Sequence, residues 1–431
     1  MKGNIMEYAK FLNEARENAT ALPYEKMELY KRYTKRFAIE MPRSDSHENI
    51  KDAEYAEGAV KYLSQIMGGA PDVILLNGHL IGNTSGIVDE VDPASEASFS
   101  DRKLYKNDED KFAAFANGFS KTVLRIRVDG HRRVNVLIYG GDTALPVQVL
   151  VNAAEGSDLT LNEFYFSEGT GAAIIGVLNE INTESNSRVE LNSIHCEKEG
   201  ANAFAMVKGV SGRGSSISLN TIYAGGSFIR QRNMLDAQGL GSGVEANDIV
   251  LGVKGQAFDI FTHLINSNED TRAQSAMKAV LMGGSMAYMK SMAKMKHGAK
   301  RSKSAIVERG LLYDKASHID LIPDMSIDES DVKAMHSSSS SPISKDDLFY
   351  LCTRGITEDD AKLSIALGFI LETVARINDN NVKTFAANLI RDRLVGANFS
   401  LPDNMNSKDV WMTDINRKAH EVQGDSDDDR I

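Results

Sequence analysis

The pattern of apolar and polar residues divides the chain into three parts and a tail. In the first part, residues 1–66, apolar side chains recur at helical spacing: Ile5, Tyr8, Leu12 and Ala15. A second helix is predicted there for YEKMELYKRYTKRF, which follows Pro23. Residues 67–336 alternate short runs rich in Val, Ile, Leu, Phe and Thr with Gly, Asn, Asp and Ser, which is typical of strands and turns. Residues 337–423 are helical again, and we expect the acidic residues 424–431 to be disordered.

Four segments of the strand-rich part repeat one pattern. They are LTLNEF, VELNSI, ISLNTI and VEANDI, whose asparagines are spaced 30, 28 and 27 residues apart: Asn162, Asn192, Asn220 and Asn247. Periods of this size in strand-rich sequence indicate a solenoid of stacked coils. We therefore expect a parallel β-helix in which the stacked asparagines bond the backbone of the next coil. The alternative is an ordinary β-sandwich, in which the asparagines only mark strand ends.

The C-terminal helices carry clear start signals. Ser344 is predicted to cap a helix beginning ISKDDLFYL, with two aspartates in the first turn, where carboxylates suit the helix dipole. Thr357 is predicted to cap the next helix, whose inner face includes Ala361, Ile365, Phe369 and Thr373. The short TRGI connection predicts that the two helices are antiparallel.

Composition narrows the function. A net charge of −11 argues against nucleic acid as the main partner. The chain has two cysteines, Cys196 and Cys352, too few to hold an iron–sulfur cluster by four thiolates. No run of 18 apolar residues occurs and the N-terminus carries acids, so we expect neither a membrane span nor a secretory signal, and a cytoplasmic protein.

The familiar motifs of ATP and zinc sites are absent. Without G-x-x-x-x-G-K-[ST] we expect no ATP bound by this chain through a P-loop, and without H-E-x-x-H or C-x-x-C no common zinc site. The glycine-rich segment GVSGRGSS precedes a strand, so it is interpreted as a turn between coils. Residues 282–303, rich in Met and Lys, are interpreted as strands, with a basic helix for nucleic acid or a partner as the alternative.

His195 and Cys196 form a tempting metal pair. Adjacent residues of an alternating strand point to opposite faces, so the two cannot chelate one ion together. Cys196 is therefore a weak metal candidate, and a small buried hydrophobic residue is the more ordinary interpretation.

A longer set of ordered matches begins near Gly298 and ends at Glu372. It comprises Leu311, Leu312 and Asp314; Pro323, Met325 and Ile327; Asp331, Val332 and His336; Leu348, Phe349 and Tyr350; Arg354, Gly355 and Ile356; and Gly368 with Phe369. In this order the motifs resemble the SufB/SufD family of iron–sulfur cluster assembly proteins, and the chain is identified as a SufD-like member.

The resemblance implies an architecture and partners. The fold is expected to be mainly β with flanking α: a right-handed parallel β-helix core between N-terminal and C-terminal helical regions. The chain is expected to be a non-catalytic scaffold subunit that pairs with a SufB-type paralogue and docks a SufC-type ATPase. A transient iron–sulfur cluster is expected in the complex, and flavin is left undecided.

The resemblance also implies site residues. His336 is the candidate iron or cluster ligand at the partner interface, with a structural histidine as the alternative. SufB brings a cysteine and a carboxylate at positions that match Val307 and Ser337, and these departures favour a SufD-like role. Residues 337–341, all serine, are expected to let the chain turn away closely from the β-helix. The expected partner-binding residues lie on the C-terminal helices: Leu348, Phe349, Tyr350, Arg354, Gly355, Phe369 and Glu372.

Three other functions compete with this assignment. A SufB-like homodimeric scaffold would bind the nascent cluster itself. A β-helix enzyme acting on polysaccharides would need carboxylates and arginines gathered on one exposed sheet face, and no repeated positions accumulate them. A basic nucleic-acid-binding module would use residues 290–303.

Overall fold

Two sheets wound as a solenoid form the body of the protein, which the computed structural model describes for residues 2–22, 51–92, 104–106, 109–141, 146–167 and 174–396. From residue 122 onward, successive strands alternate between sheet A and sheet B, so each coil contributes one strand to each sheet. Within the described residues every strand pair is parallel except two near the first coil. The predicted parallel β-helix is confirmed and the β-sandwich alternative is wrong, because sandwich sheets are antiparallel.

The bounds of the strands follow the order in which they pair. Sheet A contains β19 (Lys333–Pro342), β17 (Lys303–Leu312), β15 (Arg272–Leu281), β13 (Gly243–Gly252), β11 (Ser216–Tyr223), β9 (Arg188–His195), β7 (Asp158–Ser167), β5 (His131–Gly140), β1 (Val73–Leu76) and β2 (His79–Asn83). Sheet B contains β18 (His318–Ile327), β16 (Met286–Met295), β14 (Ala257–Asn266), β12 (Phe228–Ala237), β10 (Asn202–Ser211), β8 (Ile174–Thr183), β6 (Val147–Ala153), β4 (Thr122–Val128) and β3 (Val88–Val91).

Every second residue of a strand points into the lumen between the sheets. Aligned strands therefore stack like residues on one another, as Leu161, Leu191 and Leu219 do on β7, β9 and β11. All three are buried in the main core. Each fully buried leucine contributes roughly 1.5–3 kcal/mol of transfer free energy, so the stacked apolar rows are the main source of stability.

The turn from sheet B to sheet A repeats one backbone conformation in six successive coils. Its residues have positive φ: Gly156, Asn186, Gly214, Gly241, Asp270 and Arg301. The amide of each donates to a carbonyl of the following coil, as Asn186 N does to Arg213 O at 2.8 Å. A repeated left-handed turn with a repeated bond fixes the spacing of the coils at this corner. The segment GVSGRGSS contains one of these turns, as predicted.

The predicted asparagines form a continuous ladder on the outer face of sheet A. Asn192 Nδ2 donates to Asn162 Oδ1 at 2.9 Å, Asn220 to Asn192 at 2.8 Å, and Asn247 to Asn220 at 3.0 Å. Asn162 donates in turn to Asn135, a fifth member that the repeat analysis missed. The expectation that these side chains bond the backbone of the next coil is wrong, since their partners are one another's amides.

Asn220→Ala is expected to lower the free energy of unfolding by about 1–3 kcal/mol. Removing the central amide leaves Asn192 Oδ1 buried without its donor, whereas Asn247 Nδ2 keeps Glu245 Oε1 as an acceptor, and one such loss costs roughly 1–3 kcal/mol. Urea unfolding measures the change. Asn202→Ala is the control, because the half-buried Asn202 side chain takes no part in the ladder. Equal stability of the two variants would contradict a structural role for the ladder.

Helices cover both sheets. In the described residues they are α1 (Lys2–Ala21), α2 (Lys51–Met67), α3 (Lys111–Phe119), α4 (Lys345–Thr353), α5 (Glu358–Val374) and α6 (Asn380–Leu394). No described helix is long and apolar enough to cross a membrane. The helix predicted after Pro23 and the acidic tail of residues 424–431 lie outside the described residues.

Aromatic side chains join the helices to the sheets. On the outside of sheet B, Phe112 of α3 packs on Phe204 of β10 with ring centroids 5.1 Å apart. On the outside of sheet A, Phe385 of α6 packs edge-on against Phe164 of β7 at 5.6 Å and against Tyr62 of α2 at 6.0 Å. The N- and C-terminal helices therefore meet over sheet A.

The predicted helix caps are confirmed. The Ser344 side chain accepts from Asp347 N at α4, and the Thr357 side chain accepts from Asp360 N at α5. Between the helices Gly355 has a φ of +87°, which a glycine adopts without strain.

The observed strands bear on two interpretations made from the sequence. Residues 286–295 form β16, so the strand interpretation is confirmed and the basic-helix alternative is wrong there. The boundary predicted between residues 336 and 337 lies inside β19, which carries the solenoid to Pro342.

Candidate functional site at the open end of the β-helix

The last coil ends in two strands that have a neighbour on one side. β18 pairs with β16 and β19 with β17, and no described strand pairs with their other edges. Every residue of β19 is exposed. An open strand edge presents unpaired amide and carbonyl groups and is a template for pairing with another chain.

His336 lies on this terminal strand. Its register partner on β17 is Ile306, which is fully buried in the lumen, so alternation places His336 on the lumen side of β19. No further coil covers it among the described residues, and the imidazole is exposed.

The serine run after His336 is an exposed strand. Residues 337–341 continue β19 with parallel pairing to β17. The expectation that these small residues let the chain turn away closely is wrong. The chain leaves the sheet after Pro342, where Ile343 is buried and Ser344 begins α4.

The two positions that the resemblance matches to the SufB cysteine and carboxylate are direct neighbours here. Val307 of β17 is the register partner of Ser337 on β19, one residue from His336. Neither valine nor serine is a good ligand for iron, whereas imidazole is. Across the described residues, no three His, Cys, Asp or Glu side chains are grouped to hold a metal ion. Of the three neighbouring residues Val307, Ser337 and His336, the histidine is therefore the candidate iron ligand.

Cys196 is far from His336. It follows β9, which is five strands from β19 in sheet A, or roughly 24 Å at the usual strand spacing. Its thiol is buried, and burial raises its pKa well above the usual value. A buried thiol that holds its proton is a poor metal ligand.

The His195 side chain lies in the lumen and is held there by contacts with three neighbouring side chains. Its Nδ1 lies 2.6 Å from Glu197 Oε1, and its ring stacks between those of Tyr165 and Tyr223. It therefore belongs to the packing of the middle coils.

A second exposed surface is formed by α4 and the turn after it. Phe349 and Tyr350 are 72% and 56% exposed, and Leu348 is half-buried. The Arg354 guanidinium lies 5.1 Å from the centre of the Tyr350 ring and donates to its hydroxyl. Exposed aromatic residues with an ordered arginine are typical of protein interfaces.

Phe369 and Glu372 are separate from this aromatic surface, because they are bound to the β-helix. Lys278 Nζ of β15 donates to Phe369 O at 2.8 Å and to Glu372 Oε2 at 2.5 Å. The same ammonium lies 5.2 Å from the centre of the Phe369 ring. These contacts fix α5 on sheet A.

The segment between α5 and α6 sits on the asparagine ladder. Arg376 donates to Asn247 Oδ1 at 3.1 Å, and Asp379 accepts from Asn162 Nδ2 at 3.1 Å. Asn378 donates to Glu190 between them. Sequence reasoning missed this attachment. It also missed the ladder member Asn135, although the segment RRVNVLI places an asparagine 27 residues before Asn162.

Comparison with known proteins decides the family. A family model described as SUF system FeS cluster assembly, SufBD core domain, matches residues 136–369, which is more than half of the chain. The chain belongs to the SufB/SufD family. The match begins in β5 and ends in α5, so this SufB/SufD core includes both terminal strands and the ladder from Asn162 to Asn247.

Relatives within the family indicate which branch is closer. The chain is 24% identical over 288 residues to the iron–sulfur cluster assembly protein SufD of Bacillus subtilis, covering 65% of each chain. It is 22% identical over 246 residues to SufD of Escherichia coli, covering 57% of this chain and 58% of that protein. The matched segments thus span less than two thirds of these relatives. Because both are named SufD, the chain is a SufD-like member of the family.

Proposed function

We propose that this chain is a non-catalytic scaffold subunit of the SUF iron–sulfur cluster assembly complex. The observation that carries the proposal is the open end of the β-helix, where two strand edges that no described strand pairs with flank an exposed histidine. A scaffold needs a surface for a paralogous partner and a ligand facing it, and this end offers both.

A SufB-type subunit pairs with the edges of β18 and β19. Strand addition gives affinity through main-chain hydrogen bonds, and side chains along the edge give specificity. Ile327 and Met335 are exposed apolar residues on the two edges, so pairing there buries apolar surface as well. The family model includes both strands.

His336 contributes an imidazole to nascent iron at this junction. Imidazole is a common iron ligand. The partner supplies the remaining ligands, because Val307 and Ser337 supply none. The iron–sulfur cluster is a product that the complex binds transiently.

A SufC-type ATPase docks on α4. Phe349 and Tyr350 form the anchor, while Arg354 and Gly355 shape its end. Phe369 and Glu372 support this surface indirectly, by holding α5 on β15. ATP is bound by the ATPase, since this sequence has no G-x-x-x-x-G-K-[ST] motif.

Met335→Lys is expected to weaken binding of the SufB-type subunit by about tenfold or more, which is about 1.4 kcal/mol or more. A lysine on an edge strand opposes strand addition. Met335 is 59% exposed, so the free chain should fold normally. Titration calorimetry of the purified subunits measures the change. Met234→Lys is the control, because Met234 is also exposed but lies on β12 in the middle of sheet B. Unchanged affinity of Met335→Lys would place the partner elsewhere.

A SufB-like homodimer is the second candidate, because the same two edges are available to a second copy. Sedimentation of the chain alone, followed by anaerobic reconstitution and absorption spectroscopy, distinguishes the two. A monomer without a stable cluster supports the heteromeric scaffold. A dimer that holds a full cluster supports the homodimer.

A further inference from the structure

A polar row runs along the lumen of the β-helix, among otherwise apolar neighbours. On sheet A the register aligns Glu163, Ser193, Thr221, Asp248, Met277, Glu308 and Ser338. On sheet B the facing row contains Asn179, Asn233, Thr262 and Ser291. Three carboxyl groups in a sealed interior are costly unless each is hydrogen-bonded or protonated.

The first two carboxyl groups have hydroxyl and amide donors. Asp248 accepts from the Tyr223 hydroxyl at 2.8 Å and from Thr262 Oγ1 at 2.9 Å. Glu163 Oε2 accepts from the Tyr165 hydroxyl at 2.7 Å and from Asn179 at 3.2 Å. These donors compensate part of the cost of burial.

Glu308, at the open end, accepts from no tyrosine hydroxyl, unlike Asp248 and Glu163. Its side chain is 0% exposed. Oε1 accepts from Ser291 N at 2.8 Å, but Oε2 is buried and meets no hydrogen-bond partner in the described part of the chain. Glu163 Oε1 is also buried without a hydrogen-bond partner among the described residues. An ionised carboxylate left in this state is strongly disfavoured, whereas the neutral acid avoids the cost of burying a charge.

The charged side chains of the described strands packed on β17 alternate to the outer faces, among them Lys278 of β15, Lys290 of β16 and Asp324 of β18, while Met277 and Ser338 face Glu308 from β15 and β19. On the lumen side of β19 the titratable neighbour is His336, two residues before Ser338. Lys290 points to the outer side of sheet B, where its ammonium lies 4.8 Å from the centre of the Phe261 ring and 3.8 Å from Asp324. Its charge is therefore directed away from the lumen.

We propose that Glu308 is a buried proton-binding site just inside the open end of the β-helix, holding its proton at neutral pH and releasing it in mildly alkaline solution. The register partner of Glu308 is Ser338 on the exposed terminal strand, so solvent is one strand away. Loss of the proton places a negative charge directly beneath β19.

The direction of the pKa shift agrees with this geometry. Burial raises the pKa of Glu308 to about 8, outweighing the lowering by Ser291, the Ile322 amide and Lys290. Because the folded chain then binds the proton more tightly than the unfolded chain, stability falls as pH rises from the unfolded value near 4.5 and levels off above about 8.

Infrared difference spectroscopy of the full chain tests the site. Wild type is expected to show a protonated carboxyl band at pH 7 that disappears with a midpoint near 8, and Glu308→Gln should lack that component. Asp248→Asn is the control, because the pKa of Asp248 is raised only to about 6. This variant should keep the transition near 8. Absence of the transition in wild type, or its persistence in Glu308→Gln, would overturn the proposal.

Thermal unfolding gives a second readout that is independent of cluster assembly. The melting temperature of wild type should fall relative to that of Glu308→Gln between pH 6 and 8 and then run parallel to it. Parallel curves over the whole range would overturn the proposal. Neither measurement involves His336 or a partner, so failure here leaves the proposed scaffold function to its own tests.

Discussion

His336→Ala is expected to fold, to keep its partners and to lose cluster assembly in the complex. The side chain is exposed at the end of the solenoid, so its removal leaves the core intact. An iron ligand has no substitute nearby, because Val307 and Ser337 beside it cannot coordinate iron well. Even outer-shell partners of metal ligands change affinity by roughly 10–100-fold, so the assembly rate should fall by at least about tenfold.

Anaerobic assembly followed by visible absorption measures this effect, with iron, a sulfur donor, the SufB-type subunit and the ATPase present. His131→Ala is the matched control, since His131 is an exposed histidine on β5, near the other end of the solenoid. Assembly at the wild-type rate by His336→Ala would leave that residue a structural role. Loss of partner binding instead would make it an interface residue.

The double substitution Phe349→Ala and Tyr350→Ala is expected to abolish measurable association with the SufC-type ATPase. Interface anchors of this type each contribute about 2 kcal/mol or more, which is roughly 30-fold in affinity per residue. Both rings are largely exposed, so the free energy of unfolding should change little.

Pull-down of the ATPase and titration calorimetry measure this association. Ile81→Ala is the control, because Ile81 is an exposed apolar residue on β2, near the other end of sheet A. An unchanged affinity in the double variant, with normal folding, would mean that the ATPase binds another surface.

Local signals in the sequence predicted much of the fold. Regular spacing revealed the coils at Asn162, Asn192, Asn220 and Asn247, because each coil repeats one turn and one ladder position. The helix caps at Ser344 and Thr357 were predictable for a related reason: a cap depends on residues within one turn.

Contacts between distant parts of the chain could not be predicted from local sequence patterns. Lys278 meets Glu372 across 94 residues, and Arg376 meets Asn247 across 129. Glu372 was predicted to bind a partner because its motif was recognised, but its position on Lys278 depends on how α5 lies on sheet A. No periodicity in either segment specifies that contact.

The serine run and Glu308 illustrate a second limit. Serine has no strong preference for strands, so residues 337–341 become β19 because β17 pairs with them. Glu308 is a single acidic residue in a strand of alternating pattern, and nothing in that pattern predicts that it is buried. Its burial depends on the register with which the last strands pair. The exposed histidine, in contrast, was found from its place in an ordered series of motifs.

Amide hydrogen exchange on the complex tests most directly whether the partner pairs with the open strand edges. The complex is assembled anaerobically from this chain, a SufB-type subunit and a SufC-type ATPase, and compared with the free chain. Amides of β19 and α4 are expected to exchange about tenfold more slowly or better in the complex, while those of β9 stay unchanged. A stable complex in which β19 exchanges as fast as in the free chain would contradict the account.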